Sequence, residues 1–195
     1  MKKLLVTGFD PFGGETVNPS WEAVRLLLEK IGEYELTKLR IPTEFDKAAK
    51  TVLEMARKEK PEVILCIGQA GGRAGVTPEV VGINLREMRI PDTAGFQPKN
   101  VPVDADGPVA YFATVPVREM VEAIRSAGIP ASLSFSAGAF VCNDVLYSVL
   151  RDCDGKGISV GFIHVPFLPE QAGEGAPSLQ LERIVTALTK AIGVL

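Results

Sequence analysis

Apolar positions along the chain alternate between two rhythms, short continuous runs and longer stretches in which they recur three and four apart. Leu4-Leu5-Val6-Thr7, closed by Gly8, belongs to the first kind and predicts a strand buried on both faces. Asn18-Pro19 then joins a capping residue to proline at a first helical position, and Val24, Leu27, Leu28 and Ile31 share one helical face, so a helix is predicted up to Gly32. The alternation repeats with a strand over residues 36–41, a helix opening at Thr43-Glu44 and a strand over residues 63–67. That second helix has Phe45, Ala48, Ala49, Val52, Leu53 and Ala56 on its apolar face.

Residues 68–106 break the rhythm. They are rich in Gly and Pro, predict one strand around residues 81–90 and no helix, and are the natural place for function. Beyond them, Thr114 and Pro116 open a helix carrying Val117, Met120, Val121 and Ile124, ended by Gly128-Ile129-Pro130. A strand over residues 131–136 follows, then a helix starting at Cys142 with Val145, Leu146, Val149 and Leu150 on one face. Residues 158–165 read as the last strand, and Ser178 as the cap of a terminal helix bearing Leu181, Ile184, Val185, Leu188 and Ile192. Strands alternating with helices imply a three-layer α/β/α sandwich with a mostly parallel, twisted sheet. Such a sheet places its site in the loops at the carboxyl ends of strands, here after Thr7, Ile67, Ser136 and His164.

The 195 residues suit one domain, and 46% hydrophobic with 23% charged residues is the composition of a globular chain with a sizeable core. With 21 Lys+Arg against 24 Asp+Glu, nothing draws the whole molecule to nucleic acid or an anionic membrane. The initial apolar run is too short for a secretion signal, and no run approaches the ~18 residues of a membrane span, so a cytoplasmic protein is expected. Three cysteines without C-x-x-C spacing offer neither a disulfide framework nor a zinc site. A single histidine rules out two-histidine zinc motifs, so no metal or cofactor is expected.

Candidate chemistry narrows to a few positions. The loop Gly8-Phe9-Asp10-Pro11-Phe12-Gly13-Gly14-Glu15 spaces glycines like a phosphate loop but lacks its Lys and Ser/Thr, whereas Phe9 and Phe12 suit an apolar wall for a small ligand. The cluster Gly68-Gln69-Ala70-Gly71-Gly72-Arg73-Ala74-Gly75 does not fit a dinucleotide fingerprint. Cys142 falls at a helix start, where unpaired N–H groups favour a thiolate, while Cys66 lies within an apolar run and Cys153 at a helix end. His164 ends the last strand, where such folds place chemistry. A cysteine–histidine pair needs a third group to orient the imidazole, and Glu79, Glu87, Asp92, Asp104 and Asp106 all lie in the irregular region. Spacing does not choose among them.

The blocks Thr7-Gly8-Phe9-Asp10-Pro11-Phe12-Gly13-Gly14, Asn18-Pro19-Ser20, Thr77-Pro78-Glu79 with Asn84, Arg89-Ile90-Pro91-Asp92, residues 138–143 and Phe162-Ile163-His164-Val165-Pro166-Phe167 together resemble the pyroglutamyl peptidase I family, in order over nearly the whole chain. The resemblance implies a metal-free cysteine peptidase that removes an N-terminal pyroglutamyl residue from peptides, commonly as a homotetramer. It implies Cys142 as nucleophile, His164 as base and acid, Glu79 as the orienting carboxylate and Arg89 as the oxyanion-stabilising cation. It further implies Phe9 and Phe12 as apolar walls, Gln69 as the group reading the lactam, and Phe140 and Val141 as pocket lining. Residues 71–75 receive no role from it. Two rivals stand beside this expectation: a phosphorylase or nucleosidase on a similar sandwich, which would need cations around a phosphate, and a binding module in which Cys142 and His164 are structural.

Overall fold

The computed structural model describes residues 1–195. Strand β1 (Lys2–Phe9) is flanked by two parallel neighbours, β3 (Tyr34–Ile41) and β4 (Val63–Gln69), and β4 pairs in parallel with β8 (Ser159–Val165). Short antiparallel strands close the two sides, β2 (Lys30–Ile31) on β3 and β5 (Thr77–Pro78) on β8, giving the order β2-β3-β1-β4-β8-β5. Because strand side chains alternate between faces, these runs feed two cores. Leu4, Val6, Leu65, Ile67, Ile163 and Val165 meet α1 (Pro19–Leu26), α3 (Val117–Ser126) and α5 (Leu181–Ile192) on one side. Leu5, Phe9, Ile64, Cys66, Val160 and Phe162 meet α2 (Lys47–Glu59) and α4 (Val141–Cys153) on the other. The three layers are those expected.

Several local expectations are corrected. Helix α1 begins as predicted, with Asn18 accepting from the Ser20 N–H and Pro19 at its first turn, but it ends at Leu26. The Leu27 carbonyl is taken by Lys38 Nζ, and Gly32, with φ 58°, sits in a two-residue hairpin turn joining Ile31 to Tyr34 rather than stopping a helix. Helix α2 starts at Lys47, after Asp46 at positive φ (58°), whose N–H is held by Asp144. The expected strand around residues 81–90 is reduced to β6 (Val81–Ile83), paired with an unforeseen β7 (Ala110–Phe112). Residues 131–136 make only isolated parallel bridges, Ala131 to Val76 and Ser134 to Glu79. Ser178 bridges to Phe167, and α5 starts after Gln180 without a side-chain cap. No helix is long and apolar enough to cross a membrane.

Candidate active site

His164 occupies the same face of β8 as Val160 and Phe162, the face turned toward α4. Its backbone partners are Gly68 on β4 and Thr77 on β5, so the imidazole stands between two strand ends. Glu79 lies two residues beyond Thr77, with its N–H bonded to the Phe162 carbonyl, and its Oε1 meets His164 Nδ1 at 2.7 Å. Both side chains are almost wholly removed from solvent. Strand pairing thus chooses Glu79 among the candidate acids by setting it diagonally across β5 from the histidine.

Cys142 arrives from the opposite layer, in the first turn of α4. Gly68 makes its approach possible. A Cβ there would lie 3.0 Å from the Cys142 Sγ and 2.7 Å from the Phe162 ring, closer than side-chain atoms normally come. The first N–H groups of a helix have no intrahelical partners, so those around Cys142 are available to a developing negative charge. Neither Cys66 nor Cys153 has such a setting; both are buried in the core beside α2 and α4.

A cavity of about 420 Å³ opens over these groups. Phe9, Phe12 and Phe140 form its apolar wall, the Phe12 and Phe140 rings standing 6.0 Å apart, and Gln69, Cys142 and His164 contribute its chemistry. Gln69 is oriented by Gln171, whose Nε2 donates to its Oε1 at 3.2 Å, and Gln171 in turn accepts from the Leu168 N–H. Its own amide N–H groups are left as donors. Two residues expected at this site lie elsewhere. Val141 is fully buried in the core on the α2 and α4 side of the sheet and does not line the cavity. Arg89 is exposed, its side chain makes no hydrogen bond or ion pair, and the adjoining Met88 contributes to the cavity wall instead.

Arg73, to which sequence reasoning gave no role, is the cation the cavity does contain. Its Nη1 donates to Glu79 Oε1 at 2.7 Å, the same oxygen that meets His164, and it also bonds Thr77 Oγ1. Its Nη2 donates to the Ser136 carbonyl at 3.1 Å. Asn18 and Thr43 also line the cavity, and both donate to the Asp10 carbonyl, fixing the loop that carries Phe12. Nowhere do His, Cys, Asp and Glu side chains gather in a group of three able to hold a metal ion.

Electrostatics set the resting protonation. Burial acts to raise Glu79, but the His164 ring, the Ser134 hydroxyl and Arg73 outweigh it and hold the carboxyl below its ordinary 4.5. Burial lowers His164 below 6.5, with Glu79 opposing and Arg73 assisting. Burial pushes the Cys142 thiol up to about 12, Glu79 adds to this, and Arg73 and a backbone hydrogen bond oppose it. Burial thus works against the expected thiolate, and Arg73 and the helix start work for it. With the Glu79 carboxyl held ionised, the His164 Nδ1–H donates to it and Nε2 is left as the acceptor. A thiol and an imidazole acceptor lining one cavity suit base-assisted attack, the proton leaving sulfur as the bond to carbon forms.

The pyroglutamyl peptidase family model matches residues 2–195 of the chain. This chain belongs to that family. A pyrrolidone-carboxylate peptidase of Lactobacillus johnsonii is 49% identical over 197 aligned positions, covering 99% of this chain and 92% of the relative. The crystal structure of pyroglutamyl peptidase I from Bacillus amyloliquefaciens superposes with a TM-score of 0.95 at 46% identity, covering 100% of this chain and 96% of that one. The pyrrolidone carboxyl peptidase of Thermococcus litoralis reaches the same TM-score at 35% identity, over 100% of this chain and 93% of the other. Both structures thus share this fold over nearly the whole of each chain.

Proposed function

We propose that the protein, residues 1–195 acting as one domain, hydrolyses the bond following an N-terminal pyroglutamyl residue of peptides, as a cysteine peptidase working through a thioester. The observation that carries this reading is the 2.7 Å bond between Glu79 and the buried His164, set opposite a cysteine at a helix start in a phenylalanine-walled cavity. His164 Nε2 takes the thiol proton as Cys142 Sγ attacks the pyroglutamyl carbonyl carbon. Glu79 stabilises the imidazolium so formed. Backbone N–H groups at the start of α4 receive the oxyanion, with Arg89, exposed and without a side-chain partner, as a second donor. Collapse of the tetrahedral intermediate breaks the C–N bond, the imidazolium protonates the departing amine, and the neutral imidazole then activates water to release pyroglutamate from the thioester.

The cavity also supports the choice of substrate. The lactam ring is small and flat enough for the Phe9, Phe12 and Phe140 walls, and Gln69 offers an amide N–H to its carbonyl. A prolyl residue would bring a charged amine to the same place and leave Gln69 without its acceptor, which separates the two substrates by orders of magnitude. A phosphorylase reading fares worse, since the cavity's one guanidinium is committed to Glu79, Thr77 and Ser136. The proposal includes a cytoplasmic location and a homotetrameric assembly, the latter checked by the sedimentation mass of the purified protein. Release of a chromogenic amine from a pyroglutamyl amide is the direct assay. Rapid release, unaffected by EDTA, with prolyl amide turned over at least about 100-fold more slowly, is expected; equal rates on the two amides would defeat the reading.

A further inference from the structure

Residues 131–136 form the outermost strip of the sheet, beyond β5. The Ser132 and Ser134 N–H groups donate inward to the Val76 and Pro78 carbonyls at 3.2 and 3.0 Å, and the Ser134 carbonyl accepts from Val80 at 2.8 Å. The alternate residues face the other way. The N–H and C=O groups of Leu133 and Phe135 have no partner in the protein, and the Phe135 ring is 66% exposed. An extended edge with free backbone groups at every second residue is a template for another strand.

This edge lines a groove of about 650 Å³ that shares Arg73 and Ser136 with the catalytic cavity. The two spaces therefore abut at the guanidinium that holds Glu79. A substrate whose first ring fills the phenylalanine-walled cavity has its remaining residues outside it, and the shared rim leads them onto the edge.

We propose that this strip is the binding subsite for the peptide chain following the scissile bond, which lies along it in extended form and exchanges backbone hydrogen bonds with Leu133 and Phe135. The inference rests on the pyroglutamyl peptidase reading of the site. From Ser136 back to Leu133 is about 10 Å at the rise of an extended chain, so the contacts reach about three or four residues past the scissile bond. They are made to backbone, so they read length and extension more than side-chain identity.

The test is a series of pyroglutamyl-alanine peptides lengthened one residue at a time, beside a pyroglutamyl amide of a small chromogenic amine. The expected kcat/KM rises by about tenfold in total up to about four residues and is then flat, each edge hydrogen bond contributing a few-fold. Methylating the substrate's backbone nitrogens singly leaves the protein untouched and should cost several-fold at alternate positions only. Phe135→Pro removes one edge donor and should cut the gain with length by a few-fold while leaving small-amide turnover unchanged. A kcat/KM independent of length, or equal tolerance of methylation at every position, would overturn the proposal. So would a loss of oligomeric mass in Phe135→Pro with the length dependence retained, which would assign the edge to a second copy of the chain. The small amide tests the functional reading separately; if it is not cleaved, that reading falls and the subsite with it.

Discussion

Two buried carboxylates in this protein each share an oxygen with an arginine, and they do different work. Asp144 accepts from Arg86 Nε at 2.6 Å through Oδ1 and from the Asp46 N–H at 3.1 Å through Oδ2, so both oxygens are used. Burial pulls the Arg86 guanidinium down, but Asp144 and Asp46 outweigh it and keep it above its ordinary value. Phe45 closes the arrangement, its ring 5.6 Å from the guanidinium. Glu79 instead gives one oxygen to both Arg73 and His164, while Oε2 has no hydrogen-bond partner in the protein. Asp144 and Arg86 form a strut that ties the start of α2 to α4 and the segment after β6. Glu79 and Arg73 hold a titratable ring in the cavity that the Cys142 thiol also lines. A buried ion pair by itself therefore does not mark a site; the distinguishing features here are the helix-start thiol and the opening that share its cavity.

The sharpest way to break the comparison is at Cys142, the proposed nucleophile. Cys142→Ser should reduce turnover of a pyroglutamyl amide to background, whereas Cys66→Ser and Cys153→Ser, in the core, should retain it. Comparable activity in Cys142→Ser would remove the assigned nucleophile altogether. Glu79→Gln comes next, with an expected fall in kcat of about 10²- to 10⁴-fold, the range of positioned acid–base groups. The same substitution in the strut, Asp144→Asn, should have the reverse signature. Stability falls by about 3 kcal/mol because Arg86 keeps only the exposed Asp46 as a charged partner, while kcat at a temperature where the protein is folded changes little. Thermal unfolding and the amide assay on the two variants decide whether the two pairs are different in kind.

Much of this was legible beforehand, for identifiable reasons. Strands β1, β4 and β8 are buried on both faces, so their apolar runs stand out, and α4 and α5 show clean helical spacing. Cys142 and His164 were visible because a helix start and a strand end are local features. Glu79 was not separable from other acids by spacing, since its selection depends on β5 pairing antiparallel to β8. Arg73 was invisible for a related reason: six residues before Glu79, across a glycine-rich turn, sequence distance carries no geometry. Val141 was misplaced because consecutive residues of a helix face different directions, and the one beside Cys142 turns into the core. Residues 131–136 read as a strand because they are extended, but only the structure shows one side of them unpaired.

Acid stability sharpens the comparison from another side. His164 is held below 6.5 in the folded protein and Glu79 below 4.5, so the unfolded chain binds more protons than the folded one as pH falls through those values. Both groups thus contribute stability that is present above these ordinary values and is lost as pH falls, His164 beginning first. His164→Gln should flatten the stability profile around pH 6, measured by denaturant unfolding. An unchanged slope there would mean that the imidazole is not held neutral in the fold.

The smallest expected effect is the most discriminating, and it concerns the rate at which iodoacetamide alkylates Cys142. Glu79 acts on the thiol in two opposed ways. Its charge directly disfavours a thiolate, while its hydrogen bond to His164 favours the imidazolium that accepts the thiol proton. Near neutral pH the proton must pass to His164, and the 2.7 Å contact with the ring outweighs the direct repulsion, so Glu79→Gln should alkylate several-fold more slowly. At alkaline pH the proton goes to solvent, only the direct repulsion remains, and the variant should equal or exceed the wild type. The two rate profiles should therefore cross. In Asp144→Asn, whose carboxylate is saturated by Arg86 and Asp46, the profile should follow wild type throughout. Parallel profiles for Glu79→Gln and wild type would mean that Glu79 acts on the thiol only through its field, and that the orientation of His164 is held by something else.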